Sequence, residues 1–589
     1  MLFYKKADVK YCFLMKNMVY VRYYLKECLN NMIRSDAWKR KIAYQIYPRS
    51  FCDANGDGIG DLKGITSKLD YLQALGIDYV WICPVYASPM DDGGYDVSDY
   101  YSINPMFGTM EDMDELLSEA KKRNIKIIMD LVLNHCSDEH EWFKKALTDP
   151  DSEEAEYFYF RRSENGPPNN WRSMFGGSAW EQVEDGRYYM HLFSKKQPDL
   201  NWENPKLREK LYEMIRWWLD KGLGGFRIDA ITHLKKEPTL SSLPPDGDDG
   251  MVGCFEPTRN YPGIGDFLTE LREQTFDRYD CITVAEAAGV PYHQLGEYIG
   301  ENGYFSTLFD FSYSELYSYG HAWHTCKKAW EWPISLLRDK MFASQIETAK
   351  IGFGAVYFEN HDYPRASEKF IPKEYQSELT QKMLGMLFFN LRGIPFIYMG
   401  EELGMTNTTF ESIDDVDDIS TKNHYKLALA DGLTPEQAIK AVNVYSRDNG
   451  RIPFPWTSGK NGGFTEGTPW MKPHPEYIKF NAEDEAKNEN SVLNFYKKMV
   501  ALRKSEEYCE TLSVGDIEPI LLDYDDVIAY KRIGNGKEVA VICSFSPYPL
   551  EIKTDLNAKS VLLSNYPSPE MPADNKLKLA PFEAVTFEL

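Results

Sequence analysis

The stretch Gly225-Phe226-Arg227-Ile228-Asp229 is a short apolar run that ends on a carboxylate. Residues two apart on a strand point the same way, so Arg227 and Asp229 share a face. Similar runs lie on both sides of it: Ala43–Tyr47, Tyr79–Ile82, Ile125–Leu131, Ile282–Ala285, Thr307–Phe309, Ala355–Phe358 and Phe396–Met399. Each is nearly continuous in apolar character, as strands buried on both faces are. Amphipathic stretches separate them. Leu207, Leu211, Met214, Ile215 and Trp218 fall on one helix face, and Asn204-Pro205 ahead of them is a good helix start. Met110, Met113, Leu116, Leu117 and Ala120 repeat the pattern before the third run. Strands alternating with helices in this way predict an α/β fold, a parallel (β/α)8 TIM barrel. The rival is an open doubly wound sheet, and the lack of a GxGxxG after any of these runs weakens it.

The alternation breaks between Cys136 and Asn204, a segment rich in Trp, Asn, Gly and Pro. It is too long for a plain loop and predicts a small inserted domain, residues 136–203, after the third strand and over the barrel mouth. The barrel itself is expected over 36–135 and 204–512. Beyond about Ser513 the pattern is all strand. Val527–Arg532, the turn Gly534-Asn535-Gly536 and Val539–Phe545 read as a hairpin, so 513–589 is expected as a C-terminal antiparallel β-sandwich. Met1–Ser35 carries seven basic and two acidic residues, and its uncharged stretches are too short for a signal-peptide core. It is read as a non-secretory, poorly ordered extension.

Lys plus Arg total 66 against 90 for Asp plus Glu, a net charge of -24. Such a surface repels phosphate backbones and anionic lipid, which argues against nucleic-acid and membrane partners. The ten cysteines form no CxxC pair and no zinc spacing with histidine. They read as thiols in a reducing compartment, and the expected location is cytoplasmic. No apolar run reaches the roughly 18 residues of a membrane span.

In a parallel barrel the reacting groups sit at the C-terminal ends of the strands. Asp130, Asn134 and His135 follow the third run, Arg227 and Asp229 close the fourth, Glu286 closes the fifth, and Asn360, His361 and Asp362 follow the seventh. No Ser or Cys nucleophile with a paired His stands at these ends. Carboxylates with an Arg and two His suit cleavage of an acetal, whose oxocarbenium-like transition state needs a nearby anion while the leaving oxygen needs a proton. Arg227 should keep Asp229 ionised for nucleophilic attack. Val284, Ala285 and Ala287 around Glu286 should raise its pKa, as suits a general acid. If the pair stands about 5–5.5 Å apart, the reaction retains configuration.

Asp53, Asn55, Asp57, Ile59 (through its carbonyl) and Asp61 place oxygen at every second position. That spacing suits a hard cation, a structural Ca2+ or Mg2+. It is not an EF-hand, because Gly64 stands where the twelfth-position Glu would be.

Several strings together resemble the α-amylase family, glycoside hydrolase family thirteen, in its oligo-1,6-glucosidase and α-glucosidase branch. They are Tyr44-Gln-Ile-Tyr-Pro-Arg-Ser-Phe51, Gly93-Gly-Tyr-Asp-Val-Ser-Asp-Tyr100, Asn169-Asn-Trp-Arg-Ser-Met-Phe-Gly-Gly-Ser-Ala-Trp180 and Gln197-Pro-Asp-Leu-Asn-Trp202. The resemblance covers about Trp38 to Leu589. It implies Asp229 as nucleophile, Glu286 as acid/base and Asp362 as the third acid that grips sugar hydroxyls. It implies that Arg227, His135 and His361 line the subsite for the non-reducing glucose and that Tyr95 is its stacking platform. Gln197 joins this substrate-binding set. Asp96 and Arg447 match the pair that holds the terminal 4-hydroxyl and closes the pocket, and the loop at 53–61 matches the branch's metal site. No cofactor is implied for catalysis. The sequence departs from the family pattern at Tyr363, at Met399 and in Phe454-Pro455-Trp456, all on the aglycone side.

The implied activity is that of an exo-acting, retaining α-glucosidase on short α-gluco-oligosaccharides or disaccharides, by a monomer or weak homodimer. Ala230 follows the nucleophile; in this branch valine there goes with α-1,6 preference and smaller residues with α-1,4 or mixed use. Room for a methyl or two is worth about 1–3 kcal/mol, which biases rather than decides linkage. Glucosyl transfer or sucrose isomerisation, and trehalose-6-phosphate hydrolysis, are sibling readings on the same scaffold. A non-enzymatic barrel of the transporter heavy-chain kind is the reading from another class; such proteins lack the acids and carry a span.

Overall fold

A computed structural model describes residues 36–314, 316 and 333–589; the extension at 1–35 lies outside them. Eight strands close a parallel barrel in sequential order. They are β1 (Ala43–Ile46), β2 (Tyr79–Ile82), β3 (Lys126–Val132), β4 (Gly225–Asp229), β5 (Ile282–Glu286), β6 (Thr307–Phe309), β7 (Ala355–Val356) and β8 (Ile394–Tyr398). β8 pairs back onto β1, with Ala43 opposite Phe396. The TIM barrel expected from the apolar runs is present. Its seventh strand is shorter than the run Ala355–Phe358, and its eighth starts at Ile394, where the Ile394 amide bonds the Gly354 carbonyl. Tyr357 and Phe358 are buried all the same, so their apolar character reflects packing rather than strand pairing.

Helix α1 (Met110–Lys122) starts on Thr109, which forms a reciprocal cap with Asp112, and buries Met113, Leu116 and Ala120. Helix α2 (Pro205–Asp220) is capped by the Asn204 side chain and buries Leu207, Leu211, Met214, Ile215 and Trp218. Fully burying side chains of this size stabilises by about 1.5–3 kcal/mol each, so α2 is held mainly by that face.

Between β3 and α2, strands Phe160–Arg162, Trp180–Gln182 and Arg187–Met190 form a small antiparallel sheet. Trp171–Arg172 pairs with Val252–Gly253, from the loop after β4. Arg172 also holds Asp246 and Asp249, both at 2.8 Å. The cover over the barrel mouth is therefore built from two segments, and the expected boundary at residue 203 misses the second. The reason is that residues 235–254 carry no periodic pattern of their own. A second excursion, after β8, is a pair of helices, α3 (Ile419–Ala430) and α4 (Pro435–Tyr445). The C-terminal region is an antiparallel sheet of five strands with a two-stranded ribbon beside it. Its hairpin pairs Val527–Gly534 with Lys537–Ser544.

Candidate active site

The strand ends bring the charged residues into one connected network. Arg227 is its hub. Its Nη1 donates to Asp130 Oδ1 at 2.7 Å and to Asp229 Oδ1 at 2.6 Å. Its Nη2 lies 3.0 Å from Glu286 Oε2. A guanidinium is rigid and planar, so one side chain fixes the spacing of both carboxyl groups. Asp229 and Glu286 are thus held on neighbouring N–H groups of one guanidinium. Such closeness belongs to the retaining arrangement, not to the wider gap of about 6.5–9.5 Å that admits water between the acids.

Ala230 sits between them. Its backbone is left-handed (φ 43°), and its N–H donates to Glu286 Oε2 at 2.9 Å. The turn after the nucleophile thus aims an amide at the neighbouring acid. A β-branched side chain would be strained in this conformation.

Burial pushes Asp229 up to about 6, against the pull of Arg227. The expected pull of Arg227 toward the ionised form is present but opposed: the carboxylate is largely withdrawn from water, and Asp130 adds a second negative charge nearby. Burial pushes Glu286 up to about 7, again against Arg227 and with Asp229 adding to the rise. Asp362 behaves oppositely. Burial alone would raise it, but His361, Arg447 and Arg451 hold it well below the usual carboxylate range.

His361 accepts from Gln45 Nε2 at Nδ1 (2.8 Å), and its Nε2 reaches Asp362 Oδ2 at 3.0 Å. Tyr95 lies parallel to the His361 ring, at 5.4 Å, and its hydroxyl donates to Asp130 Oδ2 at 3.1 Å. His135 meets Gln197 at 3.2 Å, and Gln197 reaches Asp92 at the same distance. Burial pushes His135 down to about 4, so it stands neutral at pH 7 and offers hydrogen bonds rather than charge.

Arg447 closes the ring of contacts, but not with the expected partner. Its Nη2 holds Asp92 Oδ1 at 3.0 Å, and its Nη1 holds Asp362 Oδ1 at 3.1 Å. Asp96 instead accepts the backbone N–H groups of Asp91 and Asp92 and the Ser88 hydroxyl. The cause is local. Gly93 and Gly94 have φ of 59° and 102°, and the turn they form brings Asp92 and Tyr95 round to the pocket together. Asp96, the next residue, is left to brace the loop. Asp92 is thus the pocket residue that sequence reasoning missed; the glycine pair beside it was the available signal. Asp130, Arg451 and Gln45 were also given no role in advance.

The loop at 53–61 differs from its expected form. Asp53 Oδ1 accepts the amides of Asn55 and Gly56, and its Oδ2 accepts Gly58 N–H and the Thr465 hydroxyl. Asn55 accepts from Asp57, and Asp57 from Ile59. Asp61 caps Gly64 and accepts from Ala54 and Asn55. The donors are hard oxygens, but they are turned onto the loop's own backbone. Among the described residues no group of three or more His, Cys, Asp or Glu is placed to hold a metal ion. The oxygen chemistry fits a hard cation, and the loop stands apart from the three acids, so such an ion would serve the structure and not the reaction.

A family model for the α-amylase catalytic domain matches residues 45–511. The chain belongs to the α-amylase family of glycoside hydrolases. An oligo-1,6-glucosidase of Halalkalibacterium halodurans is 42% identical over 559 residues, covering 93% of this chain and 98% of its own. A glucan 1,6-alpha-glucosidase of Streptococcus pneumoniae is 42% identical over 558 residues, covering 94% and 99%. Among solved structures, isomaltulose synthase from a Klebsiella species superposes with a TM-score of 0.88 at 37% identity, covering 94% of this chain and 99% of that one. Like those relatives this family member is an enzyme, and its fold places the acids at the barrel end where the family's chemistry occurs.

Proposed function

We propose that the protein is an exo-acting, retaining α-glucosidase that removes single glucose units from the non-reducing ends of short α-1,6-linked glucosides. One observation carries the mechanism: a single guanidinium, Arg227, spans Asp229 and Glu286. Asp229 attacks the anomeric carbon while Glu286 gives its proton to the leaving oxygen. The glycosidic bond breaks and a glucosyl ester on Asp229 forms. Glu286, now ionised, takes a proton from water; the hydroxide adds to the anomeric carbon and Asp229 leaves. Asp362, held ionised by its cationic neighbours, accepts hydrogen bonds from ring hydroxyls. Tyr95 supplies the ring face under the sugar. Arg447 and Asp92 close the far end of the pocket, which supports exo action.

The names of the relatives move the linkage toward α-1,6, whereas Ala230 alone suggested broad use. A second reading, glucosyl transfer or isomerisation, is favoured by the isomaltulose synthase among the similar structures. Turnover on isomaltose, maltose, sucrose and trehalose separates the two, with proton NMR reading the first anomer released. The reading expects α-glucose and fastest turnover on isomaltose. β-Glucose as first product, or isomaltulose as main product from sucrose, overturns it.

A structural Ca2+ or Mg2+ on the 53–61 loop is part of the proposal on its oxygen chemistry alone. EDTA should then lower the melting temperature and added Ca2+ restore it; an unchanged melt removes the ion. Cysteines scattered along the sequence without a CxxC pair support a reducing, cytoplasmic setting. Among the described residues no helix is long and apolar enough to cross a membrane.

A further inference from the structure

Arg447 touches a third acid that faces no sugar. Its Nε lies 3.0 Å from Asp418 Oδ1, and its Nη2 also bonds that oxygen. Asp418 caps the start of α3, in the excursion after β8, and only 3% of it is exposed. Its other oxygen is spent on the Thr421 amide (2.8 Å) and hydroxyl (2.5 Å). Asp448 fixes it from behind by accepting the Asp418 N–H at 3.0 Å. Arg451, which bonds Asp362 at 3.2 Å, also comes within 3.9 Å of Asp418.

The division of labour follows from the shape of the guanidinium. Holding its Nε edge fixes the directions of the remaining N–H groups. Those groups point at Asp92 and Asp362, whose side chains are 8% and 28% exposed and so keep a face toward the pocket. Without the third acid the guanidinium would be free to rotate about its own side chain and lose its aim at those two, whose remaining oxygens face the pocket. Asp418 also joins this arrangement to the cover of the barrel mouth, because α3 carries Asn423, which bonds the Phe175 carbonyl at 3.3 Å. The Arg447 guanidinium lies 5.5 Å over the Phe175 ring.

We propose that Asp418 is the positioning residue for Arg447 and through it sets the closed end of the glucose pocket. The proposal rests on the glucosidase reading above. It makes no contact with the reacting atoms, so its loss weakens binding of ground and transition states alike. Asp418→Asn in the full chain should raise KM for isomaltose about tenfold and change kcat less than about threefold. Asn still caps α3, and Asp418→Ser, which also caps a helix without a charge, should give the same split. In an Arg447→Ala background, Asp418→Asn should shift KM less than about twofold, since the two act as one unit.

Additive effects in that double substitution overturn the proposal. So does an unchanged KM, or a fall in kcat at constant KM, in whichever of the two single variants folds by circular dichroism. A wild-type protein inactive on every glucoside would instead overturn the functional reading itself.

Discussion

At the N-terminal ends of the barrel strands a cavity of about 1100 Å3 is lined by Lys41, Asp78, Lys126 and Asp280 among others. Its charges are held by flexible lysines partly open to water: Lys126 pairs with Asp280 at 3.0 Å, and Asp78 takes Lys41 at 3.2 Å and Lys504 at 2.6 Å. At the C-terminal ends, Arg227 serves Asp130, Asp229 and Glu286, and Arg447 serves Asp92, Asp362 and Asp418. There the acids outnumber the cations, and Asp229, Glu286 and Asp362 keep a face open beside largely buried guanidiniums. Both ends are polar. What separates them is that several acids share one rigid, largely buried guanidinium at one end, whereas flexible lysines partly open to water hold the acids at the other. Sharing spreads the acidities: Asp229 and Glu286 are pushed up while Asp362 is held down. One site then offers an ionised nucleophile, a protonated acid and a permanently ionised third group near neutral pH.

The strongest way to break this contrast is at the shared end. Asp229→Asn should lower kcat by about 10^4-fold or more, because the ester cannot form. Circular dichroism should show the fold intact. Retained turnover would mean that the hub of the network is not the reacting pair.

The paired pKa values sharpen the same point. Asp229 must be ionised, so activity falls as pH drops through about 6. Glu286 must be protonated, so activity falls as pH rises through about 7. The two acids share Arg227, and the profile of kcat/KM reports them as a pair. A narrow bell centred between those values is expected. Glu286→Gln should cost about 10^2–10^4-fold on isomaltose. The loss should be smaller on p-nitrophenyl α-glucoside, whose leaving group needs little protonation. A broad plateau from pH 5 to 9 would show that sharing does not set these acidities.

Within the pocket, Asp92 and Asp96 are four residues apart and should respond differently. Asp92→Asn loosens Arg447 and should raise KM for isomaltose about tenfold, a loss of about 1.4 kcal/mol of binding. Asp96→Asn replaces one of two oxygens, each of which accepts a backbone amide in a buried loop, with an NH2 donor that faces an N–H. It should lower the melting temperature before it alters KM. Equal KM effects would erase the distinction between pocket residue and loop brace.

That pair also shows where the sequence stops speaking. The barrel was legible because a strand buried on both faces writes its length in apolar residues, and β2 and β6 begin and end where their runs do. Asp229 and Glu286 were legible because each closes a strand, a position fixed by topology, and Asp362 because it follows β7 at the same end of the barrel, in the loop beyond Val356. Asp92 was not, because loop residues have no period, and a glycine turn decides which of two nearby carboxylates faces inward. Asp418 and Arg451 were illegible for a different reason. Their contacts cross between α3 and the segment after α4, and such pairing leaves no mark on local composition. The 53–61 loop marks the opposite hazard: the alternation that would ligate a cation is also the alternation of successive Asx turns.

The smallest effect is expected at the opposite end of the barrel. The Lys126 and Asp280 side chains are 44% and 72% exposed, so water screens their attraction. Asp280→Asn should change stability by no more than about 1 kcal/mol. It should leave kcat, KM and the pH profile unchanged, because no shared guanidinium connects it to the acids. Raising salt should erase what stability difference there is, whereas the pH bell at the active end, built on buried contacts, should keep its shape. If Asp280→Asn moved the bell, charge would be communicated through the barrel wall, and the two ends could no longer be treated as separate electrostatic systems.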